Sequence, residues 1–515
     1  VNLVDYLFQT TEKLSRWQEP AIAACDRSVS YEQLFGLVKK CCGMMRSLGV
    51  ASGDRVAITA ADCPEWIISF LGVIAAGAVA VPASTMSSAS ELQYVLNHCK
   101  AKALVITSEQ MEKLQSVRSS LPQLEHVLLI DGEAEQTLSF NDVLAAATEG
   151  DIEQVVDDAL AFILYTSGST GQPKGAMHLH RNLPYTVETC CKHVLQVEPE
   201  DRLFSSSRLF FAYGLGNSLS FPLGSGATAV LSSERPTPPV IAEVFRQHRP
   251  TIFFGVPAVF RALIEYVSQG HALETSSIKF CVSAGEKLPE KIFYEWKSLT
   301  GLNILDGIGS TEMLQMFISN TKEQVVPGSS GRIVPGYEAK LVNQEGQEIK
   351  GAGVGHLLIK GGSASPGYWN DEERTTATML GEWMRTGDLY RRDENGNYWH
   401  EGRSDDLFKV KGLWVSPIEI EDALLACDGV LEAAVVAGVN LDNMNTVAAY
   451  VMMRSSVSSA MDVAESLKTQ VSRSLPSYKC PTEIYFTDQL PRTATGKLQR
   501  FKLREQRAKS TKPAT

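Results

Sequence analysis

The chain is short of positive charge, of paired cysteines and of long apolar runs, and each shortage removes a class of protein. With 48 Lys and Arg against 59 Asp and Glu, the net charge is −11 at pH 7 over 515 residues. A surface of that sign is repelled by a duplex backbone, which argues against a nucleic-acid partner. The ten cysteines include no C-x-x-C pair, and the neighbours Cys41-Cys42 and Cys190-Cys191 are poorly placed to bridge each other. Thiols in a reducing cytosol are therefore expected, rather than a disulfide framework or a structural zinc site. The longest nearly apolar run, Trp66 to Pro82, is broken by Ala and Gly and ends at a proline. It is too short to span a bilayer and reads as a buried helix running into a strand. No basic flank followed by an apolar core opens the sequence, so a soluble, cytoplasmic protein without a membrane partner is expected. The two common nucleotide signatures are missing as well. Lys174 follows Pro173 with no Ser or Thr after it, Gly496-Lys497 continues with Leu498, and Gly214-Leu215-Gly216 lacks a third glycine.

What is present is the rhythm of a layered α/β protein. Ser30 to Val50 has a serine cap, helical apolar spacing and a terminal Gly49. Short strands are expected at Asp54 to Ala60, Ala101 to Ser108 and His126 to Asp131, and again at Thr228 to Ser233, Thr251 to Val256, Lys279 to Gly285 and Asn303 to Gly309. Such alternation predicts mostly parallel sheets with helices on both faces, and ligands gather at the carboxyl ends of such strands. After about residue 325 the text becomes rich in glycine and short strands, which predicts a β-rich subdomain. Beyond the charged connector Gly402 to Gly412, a compact α+β unit follows, and the tail after Arg504 reads as frayed. The fold class is thus α/β: a large N-terminal domain, 1–404, of stacked α/β sheets plus a β-rich subdomain, and a small α+β C-terminal domain, 405–515.

The stretch LYTSGSTGQPKG, Leu164 to Gly175, carries the densest chemistry: three glycines, five hydroxyl or phenol groups and one lysine at the end of an apolar strand. Glycines let backbone N–H groups converge on an anion, and Thr166, Ser167, Ser169 and Thr170 add donors. A flexible surface loop would carry the same residue types, so the loop alone is not decisive. It is followed in order by SAGEKLP (Ser283 to Pro289), DGIGSTEM (Asp306 to Met313), RTGDL (Arg385 to Leu389), GRSDDLFKVKG (Gly402 to Gly412), LPSYKCP (Leu475 to Pro481) and PRTATGK (Pro491 to Lys497). Together these resemble the motif series of the adenylate-forming enzymes, the superfamily of acyl- and aryl-CoA ligases, firefly-type luciferases and peptide-synthetase adenylation domains. The resemblance covers essentially the whole chain.

The resemblance implies a function and a set of roles. A carboxylate is a poor electrophile, and conversion to an acyl adenylate gives it a leaving group that a thiol can displace. Thr166, Ser167, Gly168, Ser169, Thr170 and Gly171, with Lys174, would hold the β- and γ-phosphates. Thr311 would donate to the α-phosphate, and Glu312 would be the Mg²⁺ ligand, since one carboxylate with phosphate oxygens and water suits that hard ion. Ala284, Gly285 and Glu286 with Asp306, Gly307 and Ile308 would sandwich the adenine. Asp388 would anchor the ribose, with Arg403 beside it. Lys497 would bridge carboxylate and α-phosphate in the transition state, an electrostatic contribution on the order of 3 kcal/mol. Lys497 and the Lys411-Gly412 loop belong to the same small domain. The family presents them alternately, by hinge rotation at a residue matching Asp405, so that Lys411 and Gly412 would form the pantetheine channel. Each residue also has an ordinary reading: helix-start Glu312, turn Asp388, linker Asp405, solvated Lys497.

The acyl pocket resembles that of the benzoate–CoA ligase group. Phe211, Ala212 and Tyr213 would form one wall, with Ala284, Gly309 and Met316 around a ring; simple core packing is the alternative for the aromatics. Relatives in that group carry histidine then isoleucine after STEML, whereas this chain has Gln315-Met316. An amide offers a donor and an acceptor at fixed geometry. Gln315 is therefore expected to alter recognition near the carboxylate and admit an ortho-substituted benzoate, such as 2-aminobenzoate or 2-hydroxybenzoate. The expected activity is an AMP-forming aryl acid–CoA ligase using ATP, Mg²⁺ and coenzyme A, as a monomer or homodimer. The nearest rival is a stand-alone adenylation enzyme that loads a carrier-protein phosphopantetheine; a nucleotide-binding protein without catalysis would be expected to lack Glu312 and Lys497.

Overall fold

The computed structural model describes residues 1–25, 27–166, 172–440, 444–454, 460–492 and 498–510. They divide into two compact units, Val1–Ala339 with Ile359–Met384, and Lys340–Leu358 with Arg385–Thr515.

Local chemistry sets the elements of the first unit. The helix Tyr31–Ser47 starts at a capping box in which Ser30 and Gln33 satisfy each other's backbone N–H groups. Its apolar stripe packs on the helix Pro64–Ala75, every residue of which is buried, and Gly72 there leaves room for the Cys41 side chain. That helix leads into the strand Val79–Pro82, as the apolar run predicts. Two sheets form the unit. One has seven strands in the order 138–139, 126–129, 101–106, 55–59, 79–82, 160–166 and 174–179, parallel except for the final hairpin. The other has nine, in the order 332–333, 316–319, 304–309, 280–283, 252–255, 202–205, 228–230, 20–23 and 28–30. Its parallel centre is a continuous apolar layer covered by Ile241, Phe245, Phe260, Phe293 and Trp296 from three helices. Parallel strands are buried on both faces, which is why the runs IFFG and FCVS are buried at every residue and almost entirely apolar.

The second unit carries the β-rich residues 340–358 and 385–403, with Tyr398–Arg403 paired antiparallel to Trp383–Arg392. It continues into a three-stranded sheet in the order Val430–Val439, Asn445–Met453, Glu483–Phe486. One face of that sheet packs on the helices Pro417–Leu425 and Ala460–Ser472, through Ile420, Leu424, Leu467 and Val471.

The expectation of a frayed tail after Arg504 is corrected as far as Ser510, and residues 511–515 lie outside the described residues. Residues Arg500–Ser510 form a helix. Its Leu503 is 2 % exposed against Ala434, Val436 and Ala448, and Arg507 ends in ion pairs with Glu483. A polar, basic composition hid one leucine and one paired arginine at the spacing of a helix turn. Leu503→Ala should destabilise the second unit by about 2–4 kcal/mol. The loss should appear as a lower denaturant midpoint and faster proteolysis of the C-terminus.

Candidate active site

The carboxyl ends of the parallel strands gather the predicted residues of the first unit. The strands Leu160–Thr166 and Lys174–Leu179 form an antiparallel hairpin that brings Thr166 opposite Lys174. Ser167, Gly168, Ser169, Thr170 and Gly171, between them, lie outside the described residues. In the other sheet Ser283 pairs with Asp306, so Ala284-Gly285-Glu286 emerges beside Gly307-Ile308. Gly285 turns there with φ +95°, a conformation side chains resist. The chain then reverses through Ser310 to Gln315, with Leu314 at φ +65°, and returns antiparallel so that Gly309 faces Met316.

That reversal carries Glu312 to Lys174. Lys174 Nζ lies 2.9 Å from Glu312 Oε1, and the hydroxyl of Tyr368 lies 2.5 Å from both. The ammonium also sits 4.3 Å from the Tyr368 ring centre, a cation–π contact. Tyr368 is delivered by backbone pairing: Met177 N–H donates to Gly367 O and Trp369 N–H to Gly175 O, while Ser365 N–H donates to Glu312 O. The Glu312 side chain is 12 % exposed. Burial by itself would raise its pKa, but the Lys174 charge and the Tyr368 hydroxyl overcome that and hold it down to about 2. His178, buried nearby, is pushed down to about 4 by loss of water, so it is neutral at pH 7 and leaves the compensation to Lys174. Tyr368 sits in SPGYWN, where no spacing or charge signal singled it out; only the fold brings it to the pair.

The pocket candidates meet at the same strand ends. Phe211 precedes the helix Ala212–Leu215, and its ring lies edge-on to Phe210 at 4.5 Å. Tyr213 is buried enough to push its phenol well above the usual range, with the Asp306 charge adding to the shift. Asp306 itself, 3 % exposed, is raised well above the carboxylate range by burial. Met316 is fully buried beside Gly307, where a Cβ would meet its sulfur at 2.8 Å. Gln315 is 2 % exposed, and its amide is held at both ends: Oε1 accepts from Met316 N–H at 2.9 Å, and Nε2 donates to Asn217 Oδ1 at 3.2 Å. Gly216 lies against it: a Cβ there would stand 2.0 Å from Gln315 Nε2, so any larger residue would force the amide to move.

In the second unit Asp388 pairs with Arg403 across adjacent strands, with Arg403 Nη1 3.1 Å and His400 Nε2 3.5 Å from Asp388 Oδ1. Burial would raise this carboxyl, but the His400 hydrogen bond and the Arg403 charge hold it below its usual value. Asp405 lies in the turn Ser404–Asp406, and its neighbour Asp406 pairs with Arg500 at 3.2 Å. Lys411 and Gly412 form the two-residue turn of a hairpin, both at positive φ, a geometry suited to tight strand reversal. Lys497 lies outside the described residues.

A lysine–carboxylate pair beside the carboxyl ends of parallel strands, where open α/β sheets place their ligands, defines the candidate active site of an α/β enzyme. The chain belongs to the AMP-binding enzyme family, whose profile matches residues 10–369, and the profile of the AMP-binding enzyme C-terminal domain matches 419–497. It is 42 % identical to a benzoate–CoA ligase of Thauera aromatica over 93 % of this chain and 90 % of that one. Among solved structures, an anthranilate CoA ligase, AuaEII, in complex with anthranoyl-AMP is 36 % identical with a TM-score of 0.94, covering 99 % of this chain and 98 % of that one. A benzoate CoA ligase from Burkholderia xenovorans is 39 % identical with a TM-score of 0.90, over 98 % and 100 % of the two chains.

Removing the cation should expose how much the ion pair matters. Lys174→Met leaves Glu312 buried without its counter-charge and should cost on the order of 3 kcal/mol of stability. In the parent protein, Glu312 contributes stability that is full above its ordinary value of 4.5 and is lost as pH falls toward about 2. In Lys174→Met, burial is no longer offset by the lysine and raises the Glu312 pKa, so this acid-side loss should shrink or reverse, which acid-unfolding curves of the two proteins would show.

Proposed function

We propose that the protein is an AMP-forming aryl acid–CoA ligase. It joins an aromatic carboxylate to coenzyme A through an aryl-adenylate, releasing AMP and diphosphate. The observation that carries this reading is the ionised, nearly buried Glu312, paired with Lys174 at the strand ends. The full-length likeness to benzoate and anthranilate ligases supports it.

Thr166 to Gly171 and Lys174 bind the β- and γ-phosphates, and Thr311 donates to the α-phosphate. Ala284-Gly285-Glu286 and Asp306-Gly307-Ile308 hold the adenine, with Asp388 and Arg403 on the ribose. Among the described residues no three His, Cys, Asp or Glu side chains cluster as a metal cage. Glu312 alone fits Mg²⁺, an ion that takes one carboxylate and completes its shell with phosphate oxygens and water. When bound, the ion would offset the negative charge of the phosphates. Lys174 supplies positive charge to the same phosphates, and Tyr368 keeps the Glu312 oxygen oriented. Lys497 stabilises charge between the aryl carboxylate and the α-phosphate. Asp405 is the hinge, and Lys411 and Gly412 line the thiol channel once the adenylate has formed.

Phe211, Ala212, Tyr213, Ala284, Gly309 and Met316 form a short slot for one aryl ring. Gln315 replaces a ring nitrogen base with an amide, and the acid it favours carries an ortho substituent, an amino or a hydroxyl group. No described helix is long and apolar enough to cross a membrane. The enzyme works in the cytoplasm as a monomer or homodimer on small-molecule substrates.

The test is product analysis by mass spectrometry with ATP, Mg²⁺ and a panel of benzoate, aminobenzoates, hydroxybenzoates and a fatty acid, each with and without CoA. AMP together with one aryl-CoA is expected. Aryl-AMP accumulating while CoA stays unreacted would overturn the choice of acceptor. Gln315→His should move relative kcat/KM from the ortho-substituted acid toward plain benzoate, and an unmoved ratio would remove Gln315 from the specificity argument.

A further inference from the structure

A lysine on a long side chain stabilises a transition state well only where the backbone beneath it is held in place. On both sides of Lys497 the chain is held. Arg492 and Leu498 pair antiparallel, and Gln499 N–H donates to Pro491 O at 2.8 Å, so the two ends of the segment 493–497 lie side by side. Leu490 and Leu498 pack with Leu503 against the sheet residues Ala434, Val436 and Ala448.

Each end also carries an arginine that reaches a buried glutamate. Arg492 Nη2 lies 3.0 Å from Oε2 of Glu432, a residue 7 % exposed on the strand Val430–Val439. Arg500 meets Glu421, equally buried, on the helix Pro417–Leu425. Its Nε and Nη2 donate to Glu421 Oε1 at 3.1 and 2.9 Å, and Nη2 also to Oε2 at 2.7 Å. Glu421 is fixed in turn by Val435 N–H, which donates to Oε1 at 2.7 Å. The third arm of the same guanidinium, Nη1, donates to Asp406 Oδ2 at 3.2 Å, next to Asp405. Arginine–carboxylate pairs taken out of water add little net stability, because desolvation offsets the attraction. What the planar fork supplies is a fixed geometry. Two such pairs converge on one short segment, from five residues before Lys497 and three after it.

We infer that Arg492 and Arg500 are positioning residues for adenylation: through Glu432 and Glu421 they set both ends of the segment that carries Lys497, and so the place where its ammonium stands. The inference rests on the ligase reading above and deepens it. Removing either arginine should leave the binding of ATP and acid unchanged and slow adenylate formation. The thiol step, in which Lys497 takes no part, should be indifferent. Arg492 is the cleaner test, because Arg500 also holds the turn that contains Asp405 and Asp406.

The experiment separates the two half-reactions of the full chain, using the acid of the benzoate panel that the parent converts best. Single-turnover diphosphate formation without CoA reports adenylation. AMP release from the preformed aryl-adenylate with CoA reports thiol transfer. The parent, Arg492→Met, Lys497→Met and the double variant are compared. Arg492→Met should slow adenylation at least about tenfold at saturating ATP and acid, with half-saturating concentrations unchanged and thiol transfer at the parent rate. Added to Lys497→Met, it should slow adenylation no further, because a residue that acts through the lysine then has nothing to position. An arginine that only stabilises the domain would slow both half-reactions together or multiply the Lys497→Met loss. Either result overturns the inference, as does a parent-like rate of adenylation in Arg492→Met or in Lys497→Met. Should Arg492→Met fail to fold, Glu432→Gln removes the charge that holds Arg492 at nearly constant size, and the same split between half-reactions must appear. If the parent forms adenylate and only the split fails, this inference alone is wrong. If no acid of the panel yields diphosphate or AMP, the ligase reading falls and takes the inference with it.

Discussion

Glu312 is a carboxylate held almost out of water and still ionised, and much of the first unit's local architecture follows from keeping it so. Burial alone would protonate it, and the Lys174 charge with the Tyr368 hydroxyl reverses that outcome. The two partners come from separate stretches of chain. Lys174 needs the hairpin of 160–166 and 174–179; Tyr368 needs the segment 365–369 laid along that hairpin by backbone hydrogen bonds. The reversal that presents Glu312 needs Leu314 in a left-handed conformation, a local strain accepted where the surrounding contacts fix it. An ion pair removed from water is weak evidence of stability by itself, because desolvation offsets the attraction. Its worth here is orientation: one carboxylate oxygen is fixed by two donors.

The second unit uses the same device in a simpler setting. Asp388, 8 % exposed, is held ionised by Arg403 and His400 across one pair of antiparallel strands. Cross-strand pairing places Asp388 directly opposite Arg403, so the register alone delivers the counter-charge. In both units an acceptor-only group is kept ionised by donors that other strands supply. Asp306 is the contrast: buried and without a nearby countering cation strong enough to hold it down, it is driven well above the usual range. Three buried aspartate or glutamate side chains thus carry different proton affinities because their neighbours differ, not because their burial does.

Glycine and amide placement shape the slot in a complementary way. Gly216 and Gly309 stand where any Cβ would strike Gln315. A Cβ at Gly216 would meet the side-chain amide and one at Gly309 the backbone carbonyl, so each glycine leaves room for a different part of this residue. The amide is then locked by Met316 N–H and Asn217, so its donor and acceptor ends are not interchangeable.

Much of this was legible in the sequence for definite reasons. The apolar strand runs, the serine-capped helix at Ser30 and the ordered motifs announce an α/β protein with its chemistry at strand ends, since period and capping are local properties of consecutive residues. The motif resemblance singled out Lys174, Glu312, Asp388 and Arg403, and the fold brings the first two together in one unit and the last two in the other. Tyr368 was not legible, because its partners lie 194 and 56 residues away and nothing in SPGYWN marks a hydroxyl for use. The packed C-terminal helix was masked by its own composition, in which Leu503 and Arg507 are single residues among basic ones. The polarity of the Asn217–Gln315 pair was equally invisible, since an amide's orientation depends on which donors surround it. The sequence by itself determined the elements, their order and the chemical types available at their ends. Tertiary structure decided which charge faces which carboxylate, and so which groups are ionised. Proton affinity and hydrogen-bond direction are set by neighbours in space, and those neighbours are chosen by strand register and packing rather than by position along the chain.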